Sequence, residues 1–105
     1  SAKPKKRYLV FEFSSSRKFS DKDLFLAIEA GLDRFFGIWG RALSSVMLLK
    51  ETYNAESKRV IVKVGHKYVD ELKVAMSLIN KVGSSSVKVK SVISSGVIKK
   101  AKEKC

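Results

Sequence analysis

Apolar and polar residues alternate in four stretches of this chain, and a two-residue period is typical of β-strands with one buried face. The first stretch, residues 8–13, places Leu9, Phe11 and Phe13 on one face, and its aromatic and β-branched content favours a strand. The other three stretches are residues 46–53, 59–64 and 87–93. We therefore expect four strands, separated by segments of different periodicity.

Between the strands, apolar residues recur every three or four positions, which predicts amphipathic helices. The first helix is predicted to begin after Ser20, whose side chain can cap it, with Asp23 in the capping-box position. Its apolar positions are Leu24, Ala27, Ile28, Leu32, Phe35 and Phe36. Gly37 is predicted to end this helix, and residues 37–41 to connect it to the second strand.

The second helix is predicted over residues 67–82, with Gly83 closing it, and a short basic helix over residues 98–104. The element order is therefore βαββαβ, followed by that short helix. Two one-sided helices and four alternating strands fit an α+β sandwich, in which both helices lie on one face of a four-stranded antiparallel sheet. This ferredoxin-like arrangement is shared by RNA-recognition modules, but the fold alone does not assign a function.

Net charge is the property in which the chain departs most from an average domain. Its 105 residues contain 22 Lys and Arg but only 10 Asp and Glu, which gives a formal charge of +12. This length suits one domain, predicted over residues 8–98, between a basic arm (1–7) and a basic tail (99–105). Such a field attracts polyanions. No apolar run reaches the length of a membrane span and no strongly basic amphipathic helix is present, so nucleic acid is favoured over a membrane.

The sequence offers no convincing catalytic or metal site. Its only histidine, His66, has a single acidic neighbour in Asp70, which is too few ligands for a metal. Its only cysteine, Cys105, excludes an internal disulfide and a cysteine-based metal site. An acylphosphatase would share the fold and the size, but its phosphate loop is rich in glycine, whereas here residues 14–18 are serine-rich and Arg17 stands alone. We expect no catalytic residue, no bound metal and no export signal, and hence a cytoplasmic binding protein.

Basic residues in three places are the candidates for RNA contact. They are Lys3, Lys5, Lys6 and Arg7 in the arm, Arg59, Lys63, Lys88 and Lys90 on the sheet face away from the helices, and Lys99, Lys100 and Lys102 in the tail. An RNA-recognition motif stacks bases on aromatic residues of its first and third strands, and only Tyr8 is available there. We therefore expect contacts to the RNA backbone. A lysine-covered face that contacts only solvent is the simpler alternative.

Apolar residues on the same sheet face favour a protein partner as well. The interface candidates are Tyr8, Val10, Ile61 and Val92, together with Trp39. Trp39 lies in the predicted connector between two glycines, where it could cap the core or anchor an interface. The high average burial of tryptophan favours the core.

An ordered set of motifs resembles Pop-five, the small protein subunit of ribonuclease P found in archaea and eukaryotes. The motifs are Arg7-Tyr8-Leu9-Val10-Phe11, the Phe36-Gly37…Gly40 break, the 60–64 strand running into His66-Lys67-Tyr68-Val69, Met76-Ser77-Leu78-Ile79-Asn80, and Ser95-Gly96-Val97-Ile98-Lys99-Lys100-Ala101. Together they span nearly the whole chain. Two positions depart from the family, which often has Thr in place of Val97 and usually has Arg in place of Lys63. A lysine keeps the charge of that position but not the forked donor.

The resemblance implies a role in removing the 5′ leader of precursor tRNA. In that family the ribonuclease P RNA carries the chemistry with Mg²⁺ bound by the RNA, and the protein meets precursor tRNA only indirectly. The implied partners are a TIM-barrel-like subunit (Rpp-thirty) and a second copy of the chain, as a homodimer within a heterotetramer. The long C-terminal extension of eukaryotic members is missing here, which points to an archaeal source. A generic RNA-binding or ribosomal assembly module, and a small enzyme using Arg17, remain as alternatives.

Overall fold

A computed structural model describes residues 5–105 of the chain, so the predicted contact of Lys3 lies outside the described residues. The elements follow in this order: β1 (Lys6–Ser14), α1 (Asp21–Ser44), β2 (Met47–Asn54), β3 (Arg59–Gly65), α2 (Val69–Ser77), β4 (Lys81–Val82), β5 (Ser85–Ser86), β6 (Lys88–Ser95) and α3 (Ile98–Glu103). A 3₁₀ turn over His66–Tyr68 leads into α2. The predicted α+β class is confirmed.

The four long strands form one antiparallel sheet in the order β2-β3-β1-β6. In the two central strands, Leu9 pairs with Val62 and Val10 with Ile61. Because β6 pairs only with β1 in this sheet, it is an edge strand. None of the helices in residues 5–105 is both long enough and apolar enough to cross a lipid bilayer.

The main core lies between the sheet and the helices α1 and α2. The inward residues of β1 and β3 meet the apolar stripes of both helices, as the alternation predicts. The largest of these fully buried side chains are Leu9, Phe11, Phe13, Leu24, Ile28, Leu32, Leu72 and Met76. Burial of a side chain of this size contributes roughly 1.5–3 kcal/mol, so this face of the sheet stabilises the fold and offers no binding surface.

The opposite face of the sheet is covered in its centre by α3. Val10, Ile61 and Ala101 have no exposed surface, and Leu49 and Ile93 pack against them. The prediction that Val10 and Ile61 lie on an exposed partner surface is therefore wrong, because α3 buries both. The short basic helix predicted at the end of the chain is confirmed, but it packs on the sheet instead of forming a separate tail. At the other end, β1 begins at Lys6, inside the predicted arm.

Helix α1 differs from the prediction after Gly37. The Ser20 cap is confirmed, since its Oγ accepts a hydrogen bond from the backbone N of Asp23 at 3.1 Å. Gly37 breaks the helix with φ 69° and ψ −177°, a conformation that is essentially limited to glycine. The chain then resumes helical structure as far as Ser44, so the predicted connector over residues 37–41 is wrong. Gly37 is the one residue inside α1 with non-helical backbone angles, so the helix is interrupted at a single position.

The second helix is shorter than predicted, ending at Ser77. The chain then forms a hairpin in which Lys81 pairs with Ser86 and Val82 with Ser85. Gly83, with φ 60°, starts the turn of that hairpin. Val82 continues the three- and four-residue apolar spacing of the helix, so the spacing wrongly predicts that the helix extends to this residue. Val82 instead belongs to the hairpin, and its side chain is buried in the core.

Candidate RNA and partner interfaces

Helix α3 presents a row of lysines to solvent. Ala101 and Cys105 face the sheet, whereas Lys99, Lys100 and Lys102 are exposed on the outer side. Glu103 is exposed on the same helix, so the outer side carries three lysines and one carboxylate. An apolar side that docks and a charged side that faces outward is the pattern of an amphipathic helix fixed in place by its own domain. The three predicted RNA contacts of the tail are thus brought together on one rigid element, which we call the α3 lysine row.

Arg59 holds the end of α3 in place. Its Nε donates to Glu12 Oε1 at 2.9 Å, and its Nη1 donates to the carbonyl oxygen of Lys104 at 2.7 Å. The carbonyl oxygen of Cys105 also accepts hydrogen bonds, from Asn54 Nδ2 at 3.1 Å and Ser57 Oγ at 3.0 Å. A cation at the C-terminus of a helix also complements the helix dipole. Arg59, predicted to contact RNA, is thus engaged within the protein.

Lys88 and Lys90 lie on the edge strand β6, both exposed, on the part of the sheet face away from the main core. Lys63 is half-buried on β3, beside Tyr8 of β1 in the strand register. Among residues 5–105, the ion pairs within 4.0 Å involve only two cations, Arg41 and Arg59. The lysines of this face are therefore available to an anionic partner.

The basic residues of the predicted arm separate into two places. Lys5 and Lys6 border a shallow cavity of about 370 Å³ together with Leu43, His66 and Lys67. Arg7 instead lies at the start of α3: a Cβ added to Gly96 would come within 2.5 Å of Arg7 Nη1. Glycine at this position leaves room for the guanidinium. Arg7 therefore lies beside the turn before α3, apart from the cavity that Lys5 and Lys6 border.

Three apolar side chains after the Gly37 break face solvent. Ile38 is 91% exposed, Trp39 80% and Leu43 66%, and we call this set the apolar corner. The favoured core position of Trp39 is wrong, because the turn at Gly37 directs the indole outward. Large apolar side chains gathered in one exposed place are typical of a protein interface. Tyr8 and Val92, the remaining interface candidates, are half-buried against the cluster beneath α3.

Ile38 and Leu43 were not identified from the sequence, because the helix was ended at Gly37. Trp39 and Leu43 are four residues apart, a spacing that is typical of a helix and indicates that helical structure resumes after Gly37. Arg41 fixes this resumed segment by donating from Nη1 to Asp33 Oδ1 at 2.6 Å. Burial acts to lower the pKa of Arg41. The hydrogen bond to Asp33 and the charge of Glu29 outweigh this effect and raise the pKa above its ordinary value.

No group of three or more His, Cys, Asp or Glu side chains in residues 5–105 is arranged to hold a metal ion. His66 is exposed, with Nδ1 at 3.2 Å from the carbonyl oxygen of Lys5. Burial raises the pKa of the Cys105 thiol, and the nearby charge of Arg59 opposes that rise. Cys105 is thus a partly buried thiol packed within the protein, and His66 is an exposed imidazole.

Comparison with known proteins places this geometry in a family context. A profile of the Rpp14/Pop5 family matches residues 7–105. Ribonuclease P protein component 2 of Thermococcus kodakarensis is 31% identical over 101 residues, which cover 95% of this chain and 82% of that protein. The Pyrococcus abyssi protein of the same name is 33% identical over 101 residues, covering 95% and 83%. A chain in the cryo-EM structure of yeast ribonuclease MRP has a similar fold, with a TM-score of 0.64 over 99% of this chain and 93% of that one, at 16% identity.

Proposed function

Because the chain belongs to the Rpp14/Pop5 family, we propose that it acts as a non-catalytic subunit of ribonuclease P that binds the RNA and a protein partner on separate surfaces. The observation that carries this proposal is the family match, which extends over residues 7–105 and therefore over both surfaces. Archaeal relatives that match over 95% of this chain are named as components of ribonuclease P.

The α3 lysine row and the lysines of β6 are the proposed RNA-binding surface. These side chains are exposed, and no carboxylate in the described part of the chain lies within 4.0 Å of them, so phosphate groups are their natural counterions. The half-buried Tyr8 is the only aromatic side chain of β1 or β3 on this face, and α3 covers the centre of the sheet. Binding through the backbone and shape of a folded RNA therefore suits this surface better than base stacking does.

The apolar corner is the proposed protein-binding surface. Trp39 is the kind of residue that dominates interface energies, and Leu43 borders a cavity with an aromatic and basic rim. The partner implied by the family resemblance is the TIM-barrel-like subunit of ribonuclease P, and a second copy of this chain would complete a heterotetramer. Arg41 supports the corner from behind, through its hydrogen bonds to Asp33 and Glu29.

In this proposal the cleavage of precursor tRNA belongs to the RNA, with Mg²⁺ held by RNA phosphates. The protein contributes positive charge where RNA strands approach each other, which lowers the Mg²⁺ concentration that the folded RNA requires. It also links the RNA to the second protein. Neither role requires a catalytic side chain in this chain.

The test is reconstituted cleavage of precursor tRNA by an archaeal ribonuclease P RNA at low Mg²⁺. The RNA is assayed alone, with the TIM-barrel-like subunit, with this chain, and with both proteins. We expect strong stimulation only when both proteins are present. A folded chain that leaves the rate of an active RNA unchanged in every combination would overturn the proposal and leave a basic ferredoxin-like module with another RNA target.

A further inference from the structure

A second polar site lies at the N-terminal end of β6, where this strand begins with Lys88. Here the loop after β1 faces the β4–β5 hairpin across a solvent-open cleft of about 550 Å³. The polar residues that line the cleft include Ser14, Ser15, Ser16, Asn80, Lys81 and Lys88. Of these, only Lys88 is a candidate from the sequence, since the serines fit ordinary loop composition and the apolar spacing places Lys81 in a helix.

The walls of this cleft are held together by the fold. Ser85 is buried, and its Oγ donates to the carbonyl oxygen of Lys18 at 3.2 Å, which ties the hairpin to the loop after β1. The backbone N of Val87 donates to the carbonyl oxygen of Asn80 at 3.0 Å and closes the base of the hairpin. The cleft therefore exists before any ligand binds, and little ordering is required of the protein on binding.

The lining has the chemistry of an anion site. Lys81 and Lys88 supply ammonium groups, Ser15 and Ser16 supply hydroxyl groups, and none of the lining residues is acidic. Ser14 Oγ donates within the cleft, to the carbonyl oxygen of Lys88 at 3.5 Å. Ser15 Oγ already accepts from the backbone N of Arg17 at 3.1 Å, which turns its own proton toward another acceptor. The volume exceeds that of one phosphate group and falls in the range of small-molecule sites, so there is room for a sugar beside the phosphate.

The cleft continues the proposed RNA-binding surface. Lys88 belongs both to the cleft and to β6, and Lys90 follows on the same face of this edge strand. At about 3.3 Å per residue, the eight residues of β6 extend roughly 26 Å from the cleft to the turn before α3, and α3 then runs back over the sheet as far as Arg59. We propose that the cleft binds a phosphodiester and ribose of the RNA backbone, as the far anchor of a strand that runs along β6 to α3. This inference rests on the proposed function and specifies where the RNA lies.

The first test compares Lys81→Gln with Lys73→Gln in binding to an archaeal ribonuclease P RNA over a range of salt concentrations. Both changes remove one exposed charge, but Lys73 lies on α2 away from the cleft. We expect Lys81→Gln to reduce the log–log salt slope by about 0.7–0.9 units, the value of one phosphate contact, and Lys73→Gln to leave it unchanged. A Lys81→Gln slope equal to that of the wild-type chain would overturn the inference.

The second test follows backbone amide NMR signals of the wild-type chain with a short single-stranded RNA or with inorganic phosphate at equal concentration. We expect the RNA to shift the signals of residues 14–16 and 80–88, and phosphate to shift them far less. If RNA and phosphate shift these signals equally, the cleft binds any small anion and does not recognise RNA. If neither ligand shifts them, the cleft binds neither. Each of these results overturns the inference. Failure of the proposed function gives a different result from failure of this inference. In that case the wild-type chain and every variant would fail to bind the ribonuclease P RNA.

Discussion

Arg41 contacts Glu29, twelve residues earlier in the same helix, with Nη2 at 3.3 Å from Oε1. In a straight helix that rises 1.5 Å per residue, two such positions would lie about 18 Å apart along the axis. The contact therefore requires the chain to turn back at Gly37. This turn places Ile38 and Trp39 at its outer side, which explains why they are the two most exposed of the large apolar residues in the helix.

Replacing Gly37 should test this turn. Gly37→Ala introduces a Cβ at φ 69° and ψ −177°, where side-chain-bearing residues are strained by about 1–3 kcal/mol. Apart from its chain neighbours and the adjacent helix backbone, no atom of residues 5–105 lies within 4 Å of the added Cβ, so the loss reports backbone strain and not a collision. Urea denaturation measures the change in the free energy of unfolding. A variant as stable as the wild-type chain would mean that this backbone conformation is not the one adopted in solution.

Trp39 provides a direct signal for partner binding, since it is the only tryptophan of the chain. Being 80% exposed, it should emit like tryptophan in water and be quenched readily by iodide. Binding of the TIM-barrel-like subunit, prepared as a tryptophan-free variant, should shift this emission to the blue and protect it from iodide. Emission that is already blue-shifted in the free chain would contradict the exposed position.

The apolar corner should also be separable from the fold by mutation. Leu43→Asp should weaken partner binding by at least tenfold, because it places a charge at the centre of an apolar contact. Leu26→Asp is the matched control, since Leu26 is 58% exposed on the same helix but lies before the break. Calorimetric titration measures both affinities, and circular dichroism checks the fold. Equal weakening by the two variants would assign the partner to a wider face of α1.

Arg59 should control the docking of α3. Arg59→Gln removes the ion pair with Glu12 and weakens the bond to the Lys104 carbonyl, each a contact of roughly 0.5–1.5 kcal/mol. Because Cys105 packs beneath α3, its alkylation by iodoacetamide should then become about two- to tenfold faster. Arg34→Gln serves as the control, since that side chain is exposed on α1, which packs on the opposite face of the sheet from α3. An unchanged alkylation rate would show that other contacts suffice to hold the helix.

The pH dependence of the same thiol follows from its burial. Burial raises the pKa of Cys105 above its ordinary value of 9.0, despite the opposing charge of Arg59. The folded state therefore favours the neutral thiol, and this contribution to stability is present below the unfolded pKa and lost as the pH rises through the folded one. The midpoint of alkylation against pH should thus lie higher for the folded chain than for the chain in urea. Coinciding midpoints would mean that the thiol is solvated.

The strands and the first helix cap could be predicted because their signals are local. Alternation along residues 59–64 depends only on which face is buried, and the Ser20 cap depends on residues three positions away. The packing of α3 on the sheet could not be predicted in this way, because it joins residues that are far apart in sequence. Ile61 shows the consequence: from sequence it belonged to an open face, but it is fully buried against Ala101.

The candidate site was predicted in composition but not in arrangement. The lysines of the tail were identified correctly as basic, yet only the structure gathers them on one side of α3. Arg59 looked equivalent to Lys63, although its guanidinium is used to cap α3. Lys81 was assigned to a helix because Val82 extends the helical spacing, and the hairpin turn at Gly83 overrides that local preference.

The most direct test of the account is whether the two surfaces can be lost independently. Lys99, Lys100 and Lys102 are changed together to Gln, with Lys22, Lys50 and Lys73, all exposed away from α3, as a control of equal charge. Binding of the ribonuclease P RNA and of the TIM-barrel-like subunit is measured for both variants and for Leu43→Asp.

We predict that the α3 variant loses about 0.7–0.9 units of RNA salt slope for each phosphate contact removed, while it binds the protein partner normally. Leu43→Asp should show the reverse, with normal RNA binding and weak partner binding. Loss of both activities in either folded variant, or an α3 variant whose RNA salt slope equals that of the charge-matched control, would contradict the division of this chain into an RNA surface and a protein surface.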